Sequence, residues 1–466
     1  MEGPLRARPP VERLRRARQR DRARREGRRA GAGRPAWARP ADRGVAAGGS
    51  EPRPRGATRA QPRPRRSAGG PWRPGIVLCL VARRIWTHGL GGMEEHCRNL
   101  TVELARQGHT VHLLTTAHPD GRPREAAYGA ELHYLPGTAP GDYSRAWRRE
   151  SRRWARDNFR RLGVNAVLSM SVAAYGLVDI GGPPTYTIVH GWGPGLLRGD
   201  WHDVRGWRRL IDFPRAARWQ AAVWLRGRPL LQGSERILAV SHAVARQLRR
   251  YRRVSLLPNC VDTSQFLPSE ADRGRVRAEL GLGADDPVAL IASTVTWQKG
   301  VHLGLEACRT VARDHPGLAA VVAGDGPAAA PIEAWLRRTA PGLRVRFLGA
   351  RAHDDLPPVF AAADVFLLPS LRAEGLPTSV LEAMSSGLPI VAMRAGGTPT
   401  AVVDGGTGLL VRQGDLAAFT EAVRALVGDP DRRRALGRAA RVRALAEFDR
   451  TVVVRRMVEL LNGARC

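Results

Sequence analysis

Lysine is nearly absent from this chain of 466 residues. Lys299 is the only one, and every other residue among its 75 basic side chains is arginine. A composition rich in Arg, Ala, Gly and Pro reflects coding bias as readily as ligand binding, so the one surviving lysine asks for a reason. Cysteine is scarce too. The five (79, 97, 260, 308 and 466) are odd in number and scattered, without a CxxC spacing or a Cys/His cluster. That excludes a disulfide framework and a structural zinc centre of the usual spacing, and it fits a reduced compartment. Long apolar runs are missing as well. The longest near the start, residues 76–82, falls far short of the roughly 20 that a membrane span needs, and no secretory signal pattern is visible. The expectation is a soluble, cytoplasmic protein, at most peripheral at the inner face of a membrane.

Acidic residues are outnumbered, and the formal net charge is +32. Residues 1–70 hold 21 Arg against 6 acidic residues, with nine Pro, four Leu or Val, and no Ile or Phe. Such a segment cannot bury enough apolar surface to offset chain entropy, so residues 1–74 read as a disordered basic tail. No zinc-finger spacing or RNA-binding aromatic motif accompanies the charge, which argues against a specific nucleic-acid partner. With 43% apolar residues, the rest is long enough for two or three domains with full cores.

From Pro74 apolar runs alternate with helix-period segments, the signature of βαβ units around buried parallel strands. Strands are expected at 76–82, 111–115, 166–169, 185–190, 237–240 and 255–257, then at 288–293, 319–323, 345–348, 365–369 and 390–393. Helices are expected at 93–107, 145–161 and 242–250, then near 300–313, 331–339, 378–386 and 415–427. The fold class is α/β, with two doubly wound Rossmann-like domains at 75–260 and 270–446. A last helix in 447–466 could return to the first domain. Ligands in such sheets bind at the carboxyl ends of strands, and two such domains face across a cleft. Residues 196–231 break the alternation: Trp201, Trp207, Trp219 and Trp224 interleave with eight Arg, with a helix expected near 215–226. This segment either packs on its own domain or forms a surface for an anionic, lipid-linked acceptor.

Three places carry chemistry. Gly91 and Gly92 sit in a glycine-rich turn between a strand and a helix, where backbone N–H groups can approach a phosphate or sugar. His190 ends a buried strand and so faces the site region. In Glu374-Gly375-Leu376-Pro377-Thr378-Ser379-Val380-Leu381-Glu382, Pro377 suits the first turn of a helix, and the N–H groups near Thr378 and Ser379 offer an anion site. Carboxylates at each end of that turn could grip sugar hydroxyls. Asp429-Pro430-Asp431 opens an Arg-rich helix and reads as a helix start rather than a metal site, so no metal is assigned.

These residues resemble the retaining glycosyltransferases of family 4, which have the GT-B fold. The likeness is collinear over about 75–450. It runs through Gly91-Gly92, Ala239-Val240-Ser241, Pro258-Asn259-Cys260-Val261-Asp262 and Lys299-Gly300-Val301. Further on come Gly324-Asp325-Gly326-Pro327, Ala363-Asp364-Val365-Phe366, the two glutamates eight residues apart, and Gly396-Gly397. The resemblance implies a hexosyltransferase without cofactor or metal, taking a UDP- or GDP-linked sugar on the second domain and an unidentified acceptor on the first. It implies catalytic roles for His190, Lys299 and Glu374. Donor binding would fall to Gly91, Gly92, Thr294, Gly375, Leu376, Thr378, Ser379 and Glu382, with Glu382 on the ribose. Three positions depart from the pattern. Ser293-Thr294 stands where a Gly-Arg is usual, Cys260 where Gly is common, and Thr400 where Glu is usual. The competing reading is a catalytically idle body whose basic tail binds nucleic acid or anionic lipid; an epimerase or phosphorylase fits the motif series less well.

Overall fold

The computed structural model describes residues 75–463 apart from 90, 142–143 and 193–208. The expected tail at 1–74, Trp201, Trp207 and Cys466 lie outside the described residues. The described chain falls in a single compact unit.

The first sheet contains β1 (Val77–Val81), β2 (Thr110–Thr116), β3 (Arg124–Ala127), β4 (Ala130–Leu135), β5 (Ala166–Met170), β6 (Thr185–Val189), β7 (Arg236–Ala239) and β8 (Val254–Leu256). Its order is β3-β4-β2-β1-β5-β6-β7-β8, parallel except where β3 and β4 form an antiparallel hairpin. The second sheet contains β9 (Val288–Ala292), β10 (Ala319–Ala323), β11 (Arg344–Gly349), β12 (Val365–Leu368), β13 (Ile390–Met393) and β14 (Gly408–Val411). All of its pairings are parallel, in the order β11-β10-β9-β12-β13-β14. The central strands, among them β1, β5, β9, β10, β12 and β13, are apolar on both faces because helices cover both sides, which is what a parallel sheet requires. In both sheets the chain winds outward one way and then restarts on the other side of the first strand. The switch points are therefore β1/β5 and β9/β12, where crevices open at the carboxyl ends.

Some elements went unread in the sequence. The β3–β4 hairpin is short and polar, but Tyr128 (φ 53°) and Gly129 (φ 75°) form the two-residue turn with positive φ that right-handed strand twist favours. The helix Glu270–Leu280 was also missed, although Ser269 caps it and Gly281 ends it in the left-handed region. The helix expected near 215–226 instead runs from Arg209 to Gly233 and takes in Pro214 and Pro229. Its far end packs inward: Leu230 and Leu231 are buried, and Gly227 lies so close to Trp192 that a Cβ would overlap the indole. Pro377 is the N-cap of its helix, Thr378–Ser385, rather than its first turn. At Asp429 the carboxylate caps the helix Pro430–Arg443 through Arg432 N.

The chain finally crosses back. Arg450 pairs with Asp262 at 2.6 Å, and along the helix Arg450–Asn462 the carbonyl of Leu461 accepts from Tyr186 OH at 3.0 Å. Among the described residues no helix is long and apolar enough to cross a membrane.

Candidate active site

Both switch points open into one cleft of about 840 Å³. Its walls include all eleven residues singled out in the sequence: Gly91, Gly92, His190, Thr294, Lys299, Glu374, Gly375, Leu376, Thr378, Ser379 and Glu382. All but Glu382 lie in the loop past a strand's carboxyl end or at the start of the following helix, where the parallel topology gathers them, and Glu382 lies further along such a helix.

Lys299 follows β9 in a loop that passes over the end of β12. Gly300 makes that crossing possible: its φ is 68°, and a Cβ there would come within 1.9 Å of the Pro369 carbonyl oxygen. The ammonium of Lys299 donates to Glu374 Oε1 at 2.6 Å, and Ser370 Oγ donates to the same oxygen at 3.1 Å. Burial by itself would raise the Glu374 pKa. Lys299 outweighs that, aided by Arg372 and Ser370, and holds the carboxyl below its ordinary value.

Beyond Glu374 the chain threads between the domains. A Cβ on Gly375 would lie 1.8 Å from the His190 carbonyl oxygen, so only glycine fits this passage. Asn259, in the connection between domains, donates through Nδ2 to the Leu376 carbonyl at 2.7 Å. The helix Thr378–Ser385 begins there with no side-chain cap. Thr378 and Ser379 at its start line the cleft that Lys299 also lines, and the first N–H groups of a helix carry the positive end of its dipole.

Glu382 lies about one and a half turns into that helix, buried. Its Oε1 is 3.0 Å from His353 Nε2, a partner the sequence did not suggest. Burial lowers the His353 pKa, but Glu382 and then Glu95 outweigh it and raise the imidazole above its ordinary value. From the first domain, Arg98 reaches His353 Nδ1 at 2.9 Å, Asp354 at 2.8 Å and Glu95 at 2.9 Å. The Glu95 pKa is raised, chiefly by burial. This charged group ties the helix Gly92–Arg106 to the second domain directly over Glu382.

His190 has both ring nitrogens engaged. Nε2 is 3.0 Å from Nδ1 of buried His96, and Nδ1 is 3.2 Å from Ser171 Oγ. Nε2 of His96 is buried without a partner. An orphaned lone pair is tolerated more readily than an orphaned N–H, so His96 donates to His190 and His190 donates to Ser171. Ser171 hands on to Met93 Sδ at 3.6 Å. Burial pushes His190 down to about 4, so at neutral pH it is an uncharged wall of the cleft. Ser171 holds its left-handed conformation, φ 53°, through its N–H to Ile188 O at 2.8 Å.

Thr294 offers no positive charge, but Arg351 and Arg372 line the same cleft. They were missed because neither stands in a motif; they arrive from the loops after β11 and β12. Asp364, part of the collinear series, is structural. It pairs with Arg273 at 2.7 Å and buried Arg277 at 2.6 Å.

The comparisons with known proteins bear on the family and the fold. A family model for glycosyl transferases group 1 matches residues 272–443, and one for glycosyltransferase family 4 matches residues 90–265. The chain is similar to a GDP-mannose-dependent alpha-(1-6)-phosphatidylinositol monomannoside mannosyltransferase of Mycolicibacterium smegmatis, with 36% identity over 215 residues. That match covers 45% of this chain and 56% of the relative, so it spans about half of the relative's length. Alpha-maltose-1-phosphate synthase of the same organism is 30% identical over 337 residues, which cover 64% of this chain and 84% of that one. Sucrose-phosphate synthase from Thermosynechococcus elongatus has the same GT-B fold: TM-score 0.68 at 22% identity, over 84% of this chain and 99% of that one. With each half of the chain matched by its own model, and one relative covered over most of its length, the chain belongs to glycosyltransferase family 4.

Proposed function

We propose that this protein is a retaining hexosyltransferase that moves a hexose from a nucleotide-diphosphate sugar, GDP-mannose in the first place, to an acceptor on the first domain. The observation that carries this reading is Lys299 paired with Glu374 beside the uncapped start of the helix Thr378–Ser385. Departure of a nucleoside diphosphate places negative charge on the leaving oxygens. An ammonium and a set of helix N–H groups fixed at that point stabilise the charge without reorganising. Arg351 and Arg372 supply the cation that Thr294 does not. Glu374 orients the hexose through its hydroxyls, and Glu382 accepts from the ribose once His353 yields.

The anomeric carbon loses its bond to phosphate oxygen and gains one to the acceptor oxygen on the same face. The acceptor's proton passes to the leaving phosphate, so no protein base is required. Neutral His190 shapes the sugar pocket. Protein groups neutralise the diphosphate without a metal. The mannosyltransferase relative is named for a phosphatidylinositol monomannoside acceptor, which supports a lipid-linked acceptor here, met by a cytoplasmic enzyme at the inner membrane face.

The test is nucleotide release by the purified full chain from GDP-mannose, GDP-glucose, UDP-glucose and UDP-N-acetylglucosamine, without acceptor and then with phosphatidylinositol mannosides. Slow GDP release from GDP-mannose, accelerated by acceptor, with an α-linked product by NMR, is the expected result. Release from none of the four would overturn the reading and favour an idle GT-B body, which Thr294 would then explain.

A further inference from the structure

A second set of convergent donors lies in the first domain, among residues that do not line the cleft. β2 and β4 are parallel neighbours, and their register sets His112 opposite Glu131. His133, two residues further along β4, points to the same face. His112 Nδ1 is 3.2 Å from His133 Nε2 and 3.4 Å from Glu131 Oε2. The third side, His133 Nε2 to Glu131 Oε2, is 3.8 Å. Ligand bonds of about 2.0–2.2 Å in a tetrahedron place neighbouring donors about 3.3–3.6 Å apart, so the three atoms already approximate one tetrahedral face. Among the described residues this is the one grouping of three His, Cys, Asp or Glu side chains with such convergence.

We propose that His112, Glu131 and His133 bind a divalent transition-metal ion, Zn²⁺ before others, with the fourth position open to water. Two imidazoles and one carboxylate suit zinc, whereas an all-oxygen set would suit magnesium or calcium. The cluster is poorly satisfied by hydrogen bonds alone. His133 is 2% exposed, its Nδ1 has no partner, and its Nε2 can share only one proton with His112. A metal bond compensates that burial better than a shared proton.

Solvent reaches the site past Glu131, whose side chain is 40% exposed. Arg124 lies 3.5 Å from Glu131 Oε1, the oxygen that points away from the imidazoles in this pairing, and its own side chain is mostly exposed. Arg124 and Arg161 add positive charge nearby, so the site is weaker than zinc centres with two or more anionic ligands. Sequence spacing hides the set because β2 and β4 lie 21 residues apart between the two histidines. Bound there, the ion would clamp the β3–β4 hairpin to β2, a stabilising rather than a chemical role.

The full chain is stripped with EDTA, dialysed and titrated with Co²⁺, then with Zn²⁺. The expected result is one ion per chain, visible absorption bands of tetrahedral Co²⁺, and a rise in melting temperature with Zn²⁺. Glu131→Gln and His112→Gln should each weaken Co²⁺ binding about tenfold or more and abolish the thermal shift, leaving sugar transfer unchanged. Glu131→Gln alters a partly exposed side chain without changing its shape, so it remains decisive if His112→Gln folds poorly. Absence of saturable Co²⁺ binding, or binding of equal affinity in Glu131→Gln, would overturn the proposal.

Discussion

Lys299 Nζ lies 2.6 Å from Glu374 Oε1, so the chain's single lysine is already committed to a carboxylate before a donor arrives. The pair joins the end of β9 to the loop after β12 across the switch point of the second sheet. It fixes the ammonium beside the start of the helix Thr378–Ser385, and it keeps Glu374 ionised despite its burial.

Lys299→Ala and Glu374→Ala should each lower turnover by about two orders of magnitude or more. Loss of one preorganised donor costs about 2.7–4 kcal/mol of transition-state stabilisation. The geometry also predicts a loss of stability. With side chains 23% and 13% exposed, removing either partner leaves a shielded charge uncompensated. Each single variant should therefore melt lower, and Lys299→Met with Glu374→Gln should recover part of the loss. The Glu374 pKa is depressed, so its contribution is present above about 4.5, the ordinary value, and fades as pH falls through the lower folded value. Near-normal turnover in both single variants would sink the catalytic assignment.

If Glu382 holds the donor as proposed, His353 should make donor binding depend on pH. Its pKa is raised above 6.5, so the positive charge that strengthens its hydrogen bond to Glu382 is fully present below that value and is lost as pH rises through the folded pKa, leaving a weaker, neutral donor. Glu95, Arg98 and Asp354 also face it, and Arg98 can occupy Nδ1 once the imidazole is neutral. GDP affinity measured by calorimetry should rise several-fold between about pH 6 and pH 8.5. His353→Gln should flatten this profile. An identical profile in the variant would show that His353 does not guard Glu382.

Turnover should persist in excess chelator, since Lys299, Arg351, Arg372 and the start of the helix Thr378–Ser385 all line the cleft proposed to take the diphosphate. Strict dependence on added Mn²⁺ or Mg²⁺ in a nucleotide-release assay would contradict this.

Residues 1–70 should be dispensable. A chain beginning at Arg73 is expected to keep a cooperative melt and unchanged donor turnover, because the removed segment has few large apolar side chains to contribute to a core. Loss of the cooperative transition would overturn that reading.

The sequence by itself determined the two parallel sheets and the eleven cleft residues. Buried parallel strands read as continuous apolar runs and loops at their carboxyl ends line clefts by topology, while the family resemblance picked out which residues in those loops to name. Short or polar elements escaped. β3 and β14 are four residues each, and the helix over 209–233 overrides its prolines through packing at Leu230 and Leu231. Only the tertiary structure decided pairings between residues far apart in the chain. Among these are Lys299 with Glu374, Glu382 with His353, His353 with Arg98, His96 with His190, and His112 with His133. Their separations run from 21 to 255 residues. No local periodicity encodes such contacts. They arise when strand register and the closing of two domains bring side chains within a few ångströms, and burial then fixes their protonation.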